Sequence, residues 1–197
     1  MIDYKKIIAA SLELDIDYDT MAYELMEAMK DESCVPFSYD NCTAYSLFLR
    51  ETTNAMDYSY RGAKSADISS WQWNNKLNIP YTISVVESLP FIKLGTVRVV
   101  YFPNIHCKEH TDWDDPTDYE HTLGLSLIPN TANTECKVWI EKDLRWASIP
   151  GNAMLLNDSI KHEVPTARGT RITMRLFGTI DYTKLLDKIV PEHCYLF

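Results

Sequence analysis

The sequence predicts a mainly β fold, α+β overall: a jelly-roll core of short antiparallel strands, a double-stranded β-helix, with flanking helices. Three observations predict it. From about residue 91, short segments rich in β-branched and aromatic residues recur between Pro, Asn, Asp and Gly turn signals. Near the N-terminus, apolar residues instead recur at three- and four-residue spacings, the period of a helix. The 197 residues, 46% of them apolar, suffice for one domain, which could bury roughly 70% of its unfolded surface.

Residues 1–90 are expected to form a helical and mixed part that packs on the core. To about residue 32 the pattern is helical: Ile7, Ile8, Leu12 and Leu14, then Met21, Leu25, Met26 and Met29, with acidic residues opposite. Residues 33–90 are polar and mixed, with Trp71, Trp73 and many tyrosines, and suit either a wrap around the core or substrate-binding loops. The residues that could carry chemistry are expected in the core over 91–180. Its strands are expected at Leu94–Phe102, Thr122–Ile128, Cys136–Ile140, Ala153–Asn157, His162–Val164 and Arg171–Gly178. Trp139 and Trp146 alternate with polar neighbours and read as sheet-face or core packing. Residues 181–197 begin as a short helix and end as a tail.

Composition narrows the function. A net charge of −9 and a pI near 5.0 repel phosphate backbones, so nucleic-acid binding is disfavoured. No apolar run is long enough for a membrane-spanning helix, and the short N-terminal apolar stretch soon meets acidic residues, unlike a secretory signal. Five cysteines (Cys34, Cys42, Cys107, Cys136 and Cys194) form no CxxC pair and fit reduced thiols in a cytoplasmic protein. The chain has no Walker loop, GxGxxG, GxSxG or HExxH motif.

The residues that carry chemistry lie in the β half. His110-Thr111-Asp112 places a histidine and a carboxylate at i and i+2, on one side of an extended segment. His162, from a later strand, would complete two imidazoles and one carboxylate on one face of a metal ion. Such a triad leaves coordination positions open, as non-haem Fe(II) oxygenases require. Taken alone, the HxD element is weak and more often marks a polar loop after a strand. Beyond His162, the chain reads as strand, turn at Ala167–Gly169 and returning strand, with Arg171 and Thr173 on one face. A guanidinium fork beside a hydroxyl suits one carboxylate of a dicarboxylic acid. Arg168 falls in the turn, and Arg175 lies about 13 Å further along the strand, so Arg171 is the expected clamp. A His106/Cys107 metal site would lack further ligands at useful spacing.

The stretch from Val99 to Asp181 resembles the Fe(II)/2-oxoglutarate-dependent oxygenases, and most closely the aspartyl/asparaginyl β-hydroxylase family, which includes small proline hydroxylases. The resemblance is carried by YFPNIHCKEHTD, EHTLGLSLIP, CKVWIEKDLRWASIPGNAMLLNDSIKHEV and GTRITMRLF. It implies that His110, Asp112 and His162 hold Fe(II), and that Arg171 grips the distal carboxylate of the cosubstrate 2-oxoglutarate beside Thr173. It also implies cosubstrate roles for His121, at the family's offset from the first metal histidine, and for Tyr101, nine residues before His110. O₂ would be the oxidant.

Three departures stand out. Asp112 supplies a metal carboxylate that the vertebrate β-hydroxylases lack. The turn between His162 and Arg171 is one residue shorter than usual. Tyr119 stands where the β-hydroxylases have an arginine. With Trp113, Asp114, Asp115 and Asp118 around the expected pocket mouth, a neutral or amine-bearing substrate such as proline, free or in a peptide, is the easier one to accommodate. Two alternatives remain at this point: an oxygenase for a nucleobase or another metabolite, and a cupin-like binding module without turnover.

Overall fold

The computed structural model of the chain describes residues 3–31, 34–39, 42–52, 71–103, 105–112, 121–127, 136–167 and 170–197. In chain order the elements are β1 (Ile7–Leu12), α1 (Tyr18–Asp31), β2 (Val35–Tyr39), β3 (Cys42–Phe48), β4 (Arg50–Glu51) and β5 (Gln72–Trp73). Then follow α2 (Pro80–Ser88), β6 (Phe91–Phe102), β7 (Ile105–His110), β8 (Thr122–Ser126), β9 (Cys136–Ile140) and β10 (Arg145–Ile149). The last are β11 (Ala153–Leu156), β12 (His162–Ala167), β13 (Arg171–Ile180), α3 (Tyr182–Leu185) and β14 (Ile189–Leu196).

The strands form an eight-stranded sheet, in order β14-β1-β11-β8-β13-β6-β3-β2, and a four-stranded sheet, β10-β9-β12-β7. Adjacent strands run antiparallel, and the core is a jelly roll, as the strand spacing predicts. Alternation along the central strands divides the large sheet into two surfaces. Val97 and Val99 of β6, Leu123 and Leu125 of β8, and Ile172, Met174 and Leu176 of β13 join one apolar cluster with Met21, Leu25 and Val86 of α1 and α2. Residues of opposite parity face the smaller sheet. A second cluster there joins Ile8, Val138, Ile140, Ala147, Ile149 and Leu156. Fully burying one such aliphatic side chain contributes about 1.5–3 kcal/mol, so these two clusters dominate the packing.

The N-terminal helix expected to about residue 32 is divided. Only Tyr18–Asp31 is α-helical, whereas Ile7–Leu12 is a strand whose six residues are all buried. The reason is position: β1 lies between β14 and β11, inside the large sheet, and is covered on both faces. Burial on both faces erases the period of two that marks a half-buried strand. The expected C-terminal tail is likewise β14, paired with β1 at the sheet edge.

Local chemistry explains the helices. The Asp17 carboxylate accepts from the Thr20 backbone N–H at 3.0 Å and from its hydroxyl at 2.7 Å, capping α1. α1 buries Met21, Leu25 and Ala28, whereas Tyr23 and Met26 are exposed. Pro80 opens α2, and Glu24 of α1 accepts from the Tyr81 and Thr82 backbone N–H groups at 2.9 and 2.8 Å, tying the helices together. Trp139 and Trp146 are opposite one another on β9 and β10, edge to face at 5.6 Å and half-buried, so they pack on a sheet face. Among the described residues no helix is long and apolar enough to cross a membrane.

Gly178 marks a register shift between β13 and β6, where a Cβ would lie 2.3 Å from the Lys93 carbonyl oxygen. Because backbone rather than a flexible side chain would have to yield, Gly178→Ala should cost about 1–3 kcal/mol. Thermal unfolding should therefore shift down by several degrees, with the circular dichroism spectrum unchanged below the transition.

Candidate functional site

Antiparallel pairing of β7 with β12 sets His110 directly opposite His162, with ring centroids 4.3 Å apart. In each histidine, Nδ1 faces the carbonyl two residues earlier: Lys108 O at 2.7 Å from His110, and Ile160 O at 2.8 Å from His162. A carbonyl only accepts, so Nδ1 carries the proton and donates it. In that tautomer each Nε2 presents its lone pair towards Asp112 and the space between the sheets.

Asp112 follows β7. Its backbone N–H donates to the Asp158 carbonyl at 2.9 Å, tying it to the turn between β11 and β12. The carboxylate reaches the imidazoles, with Oδ1 3.2 Å from His110 Nε2 and Oδ2 3.8 Å from His162 Nε2. Among the described residues, these three side chains form a group whose ligand atoms lie within 4.8 Å of one another.

The protonation states suit a cation. Burial is the strongest influence on Asp112 and opposes its ionisation, but the Arg175 guanidinium and the two imidazoles outweigh it, holding the carboxyl well below the usual range. Burial pushes the His162 imidazole below its ordinary value, which favours the neutral ligand form. An ionised Asp112 carboxylate and a His162 imidazole biased towards its neutral form therefore stand together at this point.

The triad opens into a cavity of about 150 Å³ between the sheets. One water needs about 10–15 Å³ by this kind of measure, so a small organic molecule fits. Arg171, Thr173 and Arg175 all line it because they share parity on β13. Arg171 lies opposite Phe102, Thr173 opposite Val100 and Ser126, and Arg175 opposite Arg98 and Gly124. Arg171 and Thr173 are buried, at 5% and 8% exposure, so a carboxylate that met them would do so in a low-dielectric wall. Val100, Phe102, Ile149, Leu156 and Val164 supply apolar lining.

Five of the residues expected at the site thus meet around one cavity: His110, Asp112, His162, Arg171 and Thr173. The other two do not. His121 is buried on the far side of the large sheet, with Nε2 2.8 Å from the Ile7 carbonyl and Nδ1 2.6 Å from the Tyr182 hydroxyl, and it does not line the cavity. Tyr182 itself stacks on Tyr4 at 4.0 Å. Tyr101 has the parity of Val97 and Val99, so its side chain packs on the helix-side core, 6.2 Å from the Tyr45 ring. Neither is positioned to meet a cosubstrate in this cavity. Trp113, Asp114, Asp115, Asp118, Tyr119 and Arg168 lie outside the described residues.

Sequence reasoning missed three polar participants. Arg175 Nη2 is 2.8 Å from Asp112 Oδ2 and 3.8 Å from Asp158 Oδ2. Asp158 has no solvent exposure. Arg98 lines the cavity beside Arg175, and both guanidinium carbons lie within 6 Å of the Phe177 ring centroid, at 5.7 and 5.8 Å. A signal for each was present: Arg175 has the parity of Arg171, Arg98 interrupts a run of valines, and Asp158 follows an apolar strand.

No family model matches the chain, and no curated protein matches it. Solved structures do share its fold. A 2OG-Fe(II) oxygenase family oxidoreductase from Burkholderia pseudomallei has a TM-score of 0.52 at 12% identity, with 81% of each chain covered. A Pseudomonas putida prolyl-4-hydroxylase also has a TM-score of 0.52 at 12% identity, covering 86% of this chain and 91% of its own. The non-heme alpha-ketoglutarate-dependent epimerase SnoN from nogalamycin biosynthesis has the same score at 13% identity, covering 88% and 76%. The fold is therefore that of 2-oxoglutarate oxygenases.

The placement of His121 yields a direct expectation. Replacing it with leucine removes the partner of the Ile7 carbonyl and the Tyr182 hydroxyl, at a cost of about 1–3 kcal/mol. In His121→Leu, a lowered unfolding midpoint should accompany 2-oxoglutarate affinity within about twofold of the parent. Loss of affinity in a stably folded variant would return His121 to the cosubstrate site.

Proposed function

We propose that the chain is an Fe(II)- and 2-oxoglutarate-dependent dioxygenase. It hydroxylates an unactivated C–H bond of an amino-acid side chain, free or in a peptide and of prolyl or aspartyl/asparaginyl type, releasing succinate and CO₂. The observation that carries this reading is the convergence of His110, Asp112 and His162 on one side of a cavity whose other wall presents Arg171 and Thr173. The amino-acid substrate class rests on the resemblance of the HTLGLSLIP and LLNDSIKHEV stretches to the β-hydroxylase family.

The donor set fits Fe(II): two imidazoles and one carboxylate form the facial triad of non-haem iron oxygenases. When bound, iron with 2-oxoglutarate and O₂ supplies the oxidising power that no amino-acid side chain has. His110 and His162 would hold the metal through Nε2, oriented by their Nδ1–H bonds to Lys108 and Ile160. Arg171 would receive the distal carboxylate of 2-oxoglutarate through its guanidinium fork, with the Thr173 hydroxyl as a further donor. Val100, Phe102 and Val164 give the space between these two anchors an apolar lining. Tyr119 in place of the family's arginine, with acidic residues beside it in sequence, favours a substrate group that is neutral or carries an amine.

Two measurements test the reading. Anaerobic calorimetry should give one Fe(II) per chain for the parent and no stoichiometric binding for His162→Ala. Arg171→Ala should keep the metal but weaken 2-oxoglutarate by about 10- to 100-fold, the loss expected for a charged hydrogen-bonding partner worth about 1.5–3 kcal/mol. Succinate release coupled to a one-oxygen mass gain should then appear with a free amino acid or short peptide. Turnover confined to nucleobases would overturn the substrate class, and iron bound equally by His162→Ala would overturn the site.

A further inference from the structure

Arg175 is a residue of the site that the proposed reaction leaves without a role. It reaches the triad from the other sheet. It lies within β13, paired on one side with Arg98 of β6 and on the other with Gly124 of β8, so its backbone is held by neighbours on both flanks. Its guanidinium carbon is 5.8 Å from the Phe177 ring centroid. From there Nη2 meets Asp112 Oδ2 at 2.8 Å, closer than either imidazole comes to that carboxylate. The same nitrogen is 3.8 Å from the fully buried Asp158, whose carbonyl accepts the Asp112 backbone N–H. Arg175 and Asp158 therefore constrain Asp112 at both its carboxylate and its backbone.

We infer that Arg175 is a positioning residue that engages one oxygen of Asp112, so that this carboxylate offers a metal a single ligand atom. The inference rests on the iron reading proposed above. A carboxylate can take one or two positions on a metal, and the triad is useful only while positions remain open for a chelating cosubstrate. With Oδ2 engaged by the guanidinium, Oδ1 is the oxygen left beside His110 Nε2, at 3.2 Å. Electrostatics gives the arrangement a distinctive signature. An anionic or neutral partner behind a ligand raises its basicity, and removing such a partner weakens metal binding. A guanidinium does the reverse: it withdraws charge from the ligand and repels the cation. Its removal should therefore leave metal affinity intact or increase it, while the released second oxygen competes with the cosubstrate.

The test uses the full chain loaded with Co(II), which avoids oxidation during titration, and compares the parent with Arg175→Met and Arg175→Lys. The probes are 2-oxoglutarate, which can chelate through its keto acid, and glutarate, which has the same two carboxylates without the keto group. Arg175→Met should bind Co(II) at least as tightly as the parent and show an altered visible Co(II) spectrum before any cosubstrate is added. Its affinity for 2-oxoglutarate should fall by about tenfold or more, with glutarate changed by less than about threefold. Arg175→Lys, which keeps the charge without the fork, should lie between and covers the case in which Arg175→Met does not fold. Equal weakening of 2-oxoglutarate and glutarate would overturn the inference in favour of a direct carboxylate contact. An unchanged spectrum with unchanged affinities would overturn it in favour of a merely structural ion pair, and lost Co(II) binding in a folded variant would overturn its sign. Failure of the parent itself to bind Co(II) would instead remove the iron reading.

Discussion

Charged and polar groups placed between two apolar sheets must neutralise and hydrogen-bond one another, and this requirement governs the centre of the molecule. An isolated buried charge costs several kcal/mol even after relaxation. Asp112 and Asp158 lie against the Arg175 guanidinium as ion-pair partners, and the two histidines give Nδ1–H to backbone carbonyls. That pairing is directional: it turns two Nε2 atoms and a carboxylate towards one place. The ligand set is thus a consequence of how the buried polar groups are satisfied.

Such a network is a poor source of stability. Buried ion pairs often do no better than apolar residues of similar volume, because desolvation offsets their attraction. Stability comes instead from the two apolar clusters on either side of the large sheet, one against α1 and α2 and one against the small sheet. The same strands serve both purposes. On β13, Ile172, Met174 and Leu176 pack towards the helices, while Arg171, Thr173 and Arg175 line the cavity. The packed surface fixes the rotamers and spacing of the polar one, which is the rigid support that a binding site needs.

Much of this was legible in the sequence, for definite reasons. β9 coincides with its expected limits, and β6 and β13 contain theirs, because β-branched and aromatic residues between turn signals mark these strands. β1 escaped because its six residues are buried on both faces and carry no alternation. At the site, i and i+2 spacing placed His110 with Asp112 and Arg171 with Thr173. The same parity rule, applied to His121 and Tyr101, would have sent them to the helix-side core with Leu123 and Val99. Arg175 was set aside by its distance from Arg171 along the strand, yet the end of the cavity at His110, Asp112 and His162 lies nearer Arg175. That end is fixed by the pairing of β7 with β12, a long-range contact that no local pattern reveals.

The central claim is that the histidine-aspartate group and the Arg171 wall form one site, so that a metal and 2-oxoglutarate bind interdependently. Anaerobic equilibrium dialysis of labelled 2-oxoglutarate, with Fe(II) and again after removal of the metal by a chelator, measures that linkage directly. The account predicts one 2-oxoglutarate per chain with Fe(II), and affinity reduced by about tenfold or more without it. Retention that is the same with and without iron would contradict it.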